Sequence, residues 1–285
     1  MKITKTIFLV SIITTVGFSQ VIKSEKVAEA KFNSSLFNFT NSKIPSNALP
    51  LSFLPDDIAI DTEHNIYVAE PTTLRIIKIE GEGHLINQII INDVSLVNSP
   101  EKKEYIQRSN KRPFNLKLAV DSKNNLYVML LWTEQIVNIY RYTEDLKLDK
   151  TFIFQKPYPE HYIRDFLISP DNQLLIRTFP VAPVGYEQYS KEGLVFEYST
   201  EGKLIGRKRV ENSIFDTILK SKKALLNNTS INDVFIYDTF SFLKINPKGE
   251  KFIYGIKSYS SEKVERNKKY NLKDLGLVII NIKEF

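Results

Sequence analysis

A single all-β domain built as a ring of short antiparallel sheets is what this sequence predicts, on three observations. The stretch 57–70, DIAIDTEHNIYVAE, reads as strand, polar turn, strand, and it returns in altered form as KLAVDSKNNLYVM at 117–129 and DFLISPDNQLLIR at 165–177. Around each copy, short β-rich runs alternate with Gly, Asn, Asp and Ser turn signals. After the first twenty residues no stretch carries a useful helical period, which disfavours alternating βα folds. Four short antiparallel strands per unit describe a propeller blade. The expected architecture is therefore one β-propeller of four-stranded blades, with six blades favoured over five.

The first unit occupies 53–97, with strands at 58–60, 66–69, 74–79 and 85–91, and Gly81 and Gly83 turning the chain between the last two. A charged insertion at 98–112 leads to the second unit, 113–154, with strands at 116–120, 126–131, 136–142 and 148–154. The third covers 162–210, with strands at 166–169, 174–179, 194–198 and 204–208, and it carries PVAPVGYEQYSKE at 180–192, too long for a tight turn. From Asn212 the pattern blurs into strand-like pieces at 214–219, 224–226 and 234–237, read as a degenerate blade. The hairpin at 240–255 then restores the pattern, with Asn246 at the turn position of Asp61. Residues 246–250 also match 199–203, so the hairpin fits either the inner or the outer half of a blade. The final unit ends at its third strand, 277–282. An apolar patch at Phe32, Leu36, Phe37 and Phe39, inside the N-terminal segment 21–52, is expected to supply the missing outer strand and close the ring. The propeller proper is thus 53–285.

The turn openers Asp61, Asp121, Ser169 and Asn246 stand 60, 48 and 77 residues apart, unequal intervals that imply insertions and leave room for one eroded blade. Asp61 and Asp121, ending inner strands, can accept hydrogen bonds from the turn's own amides, which explains them without invoking a site. Tyr67 and Tyr127, at matching strand positions, are read as packing between blades, and His64 as an exposed turn residue.

The chain has 285 residues, of which 42% are hydrophobic and 25% charged, the balance of a folded domain large enough for its own core. With no cysteine, it has neither a disulfide framework nor a thiolate metal site. Lys2 and Lys5 precede an apolar run from Ile7 to Val16 that ends at Gly17, Phe18, Ser19 and Gln20, the pattern of a secretory signal peptide over 1–20. The rival reading is an uncleaved anchor. Removing Lys2 and Lys5 leaves 37 basic against 33 acidic side chains, so the formal +6 falls to +4. The basic clusters at Lys102 and Lys103, at Lys220, Lys222 and Lys223, and over 263–269 are broken by glutamates or fall in loops, so no nucleic-acid face is expected. The expected location is periplasmic or secreted, as a monomer with no stable membrane span after cleavage.

In IAIDTEHNIYVAE and LAVDSKNNLYVM, an apolar strand ends in Asp, a turn contains Asn, and an I/L-Y-V strand follows. These units resemble the NHL-type and related six-bladed β-propellers, and the chain is similar to secreted bacterial six-bladed propeller proteins. The resemblance implies a fold and a place to look for a site, the channel mouth where inner strands begin. Aligning the units puts Asp57, Lys117 and Asp165 there, with Phe242 at the matching place in the last hairpin and Asp56, Asn115, His161 and Arg164 close by. Converging opposite charges either bind a polar ligand or cation, or pair with one another. Similarity to propeller lactonases implies an alternative, a calcium-dependent hydrolase whose metal is held by Asp57, Asn115, Asp165 and Asn232 or Asp233, a hard-oxygen set. Other chemistry has little foothold: there is no G-x-S-x-G elbow, no H-E-x-x-H, no P-loop and no G-x-G-x-x-G. The insertions at 180–192 and 259–273 occupy the same place in their units and carry Tyr186, Tyr189, Tyr259 and Tyr270, suited to contacting a partner. The leading expectation is a non-enzymatic propeller without a cofactor that binds a protein, peptide or glycan through one ring face.

Overall fold

The structure is a computed structural model that describes residues 24–31, 57–70, 74–80, 84–91, 115–131, 136–155, 161–180, 193–216, 234–235, 243–258 and 275–282. Its first strand, β1 (Ser24–Lys31), precedes the repeats. The first sheet follows chain order as β2 (Asp57–Ile60), β3 (Ile66–Glu70), β4 (Arg75–Ile79) and β5 (Leu85–Ile90). The second does the same with β6 (Asn115–Val120), β7 (Leu126–Leu131), β8 (Ile136–Tyr142) and β9 (Leu148–Gln155). The third is built from β10 (His161–Ile168), β11 (Leu174–Pro180), β12 (Leu194–Tyr198) and β13 (Leu204–Arg209). The last sheet contains β14 (Val234–Phe235), β15 (Leu243–Ile245), β16 (Lys251–Ser258) and β17 (Leu275–Ile282), with both β14 and β15 pairing β16 and β1 pairing β17. All pairings are antiparallel.

Burial explains why these runs lack a clean polar alternation. Strand β7, LYVMLL, is buried at every position, because a second strand of a blade is covered on both faces by neighbouring sheets. The outer strands β5 and β13 show an exposed-dominated pattern instead. Between the first and second sheets, Ala59, Tyr67 and Ile76 pack against Leu116, Leu118, Val128 and Leu130. Between the second and third, Ala119, Tyr127, Met129 and Ile139 meet Phe166, Ile168, Ile176 and Phe196. Each fully buried aliphatic contributes about 1.5–3 kcal/mol relative to exposure, so face-to-face packing dominates the assembly.

The turns at one end lock the sheets together. In the first, Asp61 Oδ1 accepts from the amides of Glu63 (2.9 Å) and Asn65 (2.8 Å), while Oδ2 accepts from Asn65 Nδ2 and the Tyr67 hydroxyl. Asp121 repeats every one of these bonds with Lys123, Asn125 and Tyr127, and Asn246 Oδ1 accepts from the Lys248 and Glu250 amides. The fourth residue of each turn is left-handed: His64, Asn124, Asn172 and Gly249 have φ of 67°, 61°, 58° and 80°. That residue reaches the preceding turn. Asn124 Oδ1 accepts from the Thr62 amide and hydroxyl, Asn172 Oδ1 from the Ser122 amide, and His64 Nε2 lies 2.8 Å from Glu250 Oε2. Gly249 faces Pro170, whose Cγ would be 4.0 Å from a Cβ placed there. Hydrogen bonds or an ion pair thus link the last turn to the first, the first to the second and the second to the third, and the four sheets are blades of a β-propeller.

Four sheets are found among the described residues, and the degenerate blade expected over 213–237 falls largely outside them. Across the long interval between Ser169 and Asn246, Pro170 of the third turn lies near Gly249 of the last, and residues 217–233 and 236–242 are outside the described residues. Part of that interval forms a 3-10 turn at Val210–Asn212 and a helical turn over 214–216, where a strand was expected, and β14 joins the last sheet instead of starting a new one. The turn at 246–250 bonds to the first of the inner turns, which settles its hairpin as the inner half of a blade. The strand on β17 is 24–31; the patch at 32–39 proposed for that place lies outside the described residues.

Candidate site on the ring axis

Four residues before each turn opener stand Phe242, Asp57, Lys117 and Asp165: β2 starts at Asp57, whereas β6 and β10 begin earlier, at Asn115 and His161, so Lys117 and Asp165 lie within their strands; Phe242 is outside the described residues. Side chains at alternate positions of an inner strand point toward the next sheet. Asp57 lies on the side of β2 that faces β6, and it is fully buried. Its Oδ2 accepts from the Leu118 amide at 2.9 Å, a donor on the edge of β6 that no strand pairs. Its Oδ1 forms an ion pair with Lys244 Nζ, contributed by β15 from the other side, without hydrogen-bond geometry. One carboxylate thus ties together the inner strands of three successive sheets. Such a pair is costly to desolvate, and removing either partner is far more damaging than replacing both.

Lys117 is also buried, at the matching position of β6. Asn115 is the first residue of β6, and His161, Arg164 and Asp165 lie along β10, with Asp165 opposite Arg177 in the register and a bulge just before it. Tyr186, Tyr189, Tyr259, Tyr270, Asn232 and Asp233 lie outside the described residues. The structure brings Asp57, Lys117 and the starts of β6 and β10 to the end of the sheets opposite the turns. Asp57 itself, bonded to the Leu118 amide and paired with Lys244, is held as a structural strut. Among the described residues, no three His, Cys, Asp or Glu side chains converge on a point where a metal ion would sit, and no helix is long and apolar enough to cross a membrane.

Sequence reasoning missed several charged residues that matter here. Lys244 occupies a position where the first two repeats have Ala59 and Ala119, and Arg177 stands where they have Ala69 and Met129; those departures were the available signal. The Arg177 guanidinium is buried and lies 5.4 Å from the Phe215 ring centroid, a cation–π contact with the helical turn after the third sheet. Lys78 and Arg141 face Tyr67 and Tyr127 across the strand pairs. Lys78 Nζ is 3.7 Å from both Asp61 Oδ2 and Glu144 Oε1, and Arg141 bonds Asp149 and Glu201, so each cation links its own sheet to the next. Burial, followed by the charges of Asp61 and Glu144, pushes the Tyr67 hydroxyl far above its usual range. Burial also drives the Tyr127 hydroxyl up to about 12, with Asp121 adding to it and Arg141 opposing. These groups are neutral donors at ordinary pH and have no acid–base role there.

No protein-family model matches the chain, and no curated protein matches it. Solved structures do. One is a protein of unknown function from Bacteroides caccae, at 9% identity and a TM-score of 0.34, over 75% of this chain and 58% of that one. Another is catalytically inactive virginiamycin B lyase from Staphylococcus aureus with quinupristin, at 11% and 0.32, over 79% and 65%. A third is the PQQ-bound aldose sugar dehydrogenase of Streptomyces coelicolor, at 12% and 0.35, over 78% and 66%. The chain thus spans less than two thirds of the length of each of the three. At such identities and TM-scores these likenesses carry no argument, and the propeller architecture rests on the four-stranded antiparallel sheets and the bonds between their successive turns.

Proposed function

We propose that the chain is an exported, monomeric, non-enzymatic β-propeller that binds a protein, peptide or glycan through the ring end opposite the turns. One observation supports this most: the two ends of the ring differ in kind. At the turn end every inner hairpin is tight, and its side chains are spent on bonds within and between turns. The connections that leave the opposite strand ends are the long ones, including 92–114, 181–192 and 259–274. Rigid sheets presenting long variable connections at one end are a common recognition arrangement. The engaged state of Asp57 favours binding over chemistry, because a catalytic carboxylate or metal ligand needs a free oxygen. In this reading β1, exported with the rest, serves as the outer strand that closes the ring through the last sheet.

The test is a glycan and peptide array probed with the mature chain, alongside variants carrying Tyr186→Ser with Tyr189→Ser, or Tyr259→Ser with Tyr270→Ser. A specific ligand whose affinity falls at least about tenfold in one of them is expected, as for loss of an aromatic anchor. Metal-dependent hydrolysis of lactones or phosphoesters, lost in Asp165→Ala and accompanied by a calcium-induced rise in Tm, would replace this reading with the hydrolase.

A further inference from the structure

The seams between sheets are not chemically alike. Where the second turn meets the first, and the third meets the second, the left-handed residue is asparagine and the bridging bonds are neutral. Where the first turn meets the last, that residue is His64, and its partner is the carboxylate of Glu250. Glu250 also accepts from Asn246 Nδ2 at 2.6 Å, and the same amide lies 3.4 Å from the Asp61 carbonyl oxygen. A short chain of polar groups, Asp61 carbonyl to Asn246 to Glu250 to His64, therefore crosses this seam twice and has one carboxylate at its centre. We propose that this first-to-last seam is an acid-labile latch: protonation of Glu250 releases its grip on His64 and Asn246 and loosens the ring at one defined place.

The surroundings favour that choice of place. From the last sheet, Lys248 and Lys251 flank Glu250, and the Phe252 ring meets the His64 ring edge-on at 5.9 Å. From the first sheet, Glu63 is exposed beside His64, while Asp61 is committed to its own turn and to Lys78. Deeper in the same seam lies the Asp57–Lys244 pair, with Asp57 fully buried and Lys244 only slightly exposed. Glu250 is the partly exposed member that the solvent proton reaches first. Partial burial works against ionisation of Glu250, yet the bonds from His64 and Asn246 outweigh it and hold the carboxyl below its usual range. A depressed carboxyl contributes stability that is present above its unfolded-state value and disappears as pH falls through the lower folded value. The latch therefore holds at neutral pH and fails in acid, while the amide-held seams have no titrating member among these bridging groups.

Hydrogen exchange on the intact mature chain tests this, followed in peptides covering 57–66 and 243–254 and, as internal controls, 115–126 and 165–176. Between about pH 6 and about pH 3.5, a range that brackets the ordinary glutamate value, the first pair is expected to lose protection severalfold more than the second, after correction for intrinsic rates. Glu250→Gln is expected to show the loosened seam already at the upper pH and little further change. His64→Asn, which copies the neutral bridge of the other seams, is expected to flatten the response as well, and it carries the comparison if Glu250→Gln does not fold. Equal loss of protection at all seams, or a wild-type acid response in both variants, overturns the latch.

Discussion

Asp61 does the most with one side chain. Four donors converge on its two oxygens, and Lys78 stands 3.7 Å behind them, all in a site without solvent. Asp61→Ala strips the turn of its acceptor and leaves the buried Lys78 ammonium over the Tyr67 ring with Glu144 as its carboxylate among the described residues. Breaking a buried pair costs about 3–5 kcal/mol, so urea unfolding should show a loss of that order. Asp61→Asn keeps one acceptor oxygen for the turn amides and should lose about half as much; equal losses would show that charge rather than turn geometry is what Asp61 supplies. The tyrosines behind these carboxylates give a second check at this scale. Because folding raises the Tyr127 hydroxyl to about 12, the stability it contributes is complete below the free phenol value near 10 and drains away as pH climbs between the two. Ultraviolet titration should show Tyr67 and Tyr127 still protonated where exposed tyrosines ionise, and Tyr127→Phe should lessen the alkaline loss of stability. The turn role of Asp61 could be read from its repetition. Its cation could not, because Lys78 meets it only through strand pairing, a relation that one-dimensional spacing does not display.

At the scale of the element, the hairpins separate two demands that coincide at Asn124: a left-handed backbone and a side chain that reaches the previous turn. Asn124→Gly keeps the first and loses the second, so it should cost about 1 kcal/mol, the net worth of a hydrogen bond. Asn124→Ala loses both and should cost roughly 1–2 kcal/mol more, the penalty of a left-handed residue with a Cβ. Equilibrium unfolding of the two variants checks the order, and a glycine variant worse than alanine would refute it. Leu146 shows the demands in conflict. It is left-handed at φ 61°, where the corresponding turn of the third sheet uses Gly202, yet it stays leucine because it packs in the core between the first two sheets. Strands were legible to within a few residues wherever apolar runs were bounded by turn signals, as in β7, β8 and β12. The piece at 214–216 was misread because a short apolar run looks the same in a strand and in a helical turn. What fixes it is Phe215 lying against Arg177, a contact with another element.

For the whole molecule, the repeat announced a propeller, but the number of blades was less legible, because insertions such as those between Ser169 and Asn246 carry no repeat signal. Closure is a property of the same kind. Strand β17, LGLVIINI, is buried at its described positions and has β16 on one edge and β1 on the other, with β1 arriving from the opposite end of the chain. Without β1, an apolar, uncharged strand would present a row of unpaired amides and carbonyls, the arrangement that templates edge-to-edge association. A chain that starts after Lys31 should therefore fold its first three sheets but lose the edge of the last. We expect a fall in Tm of several degrees, since ~1 kcal/mol corresponds to about 2–4 °C in a domain of this size, together with concentration-dependent aggregation seen by light scattering. Supplying residues 24–31 as a separate peptide should restore part of the stability, by mass action on the native form alone. A truncated chain that stays monomeric with an unchanged Tm would show that β1 is dispensable, and that the last sheet is held by its packing against the first.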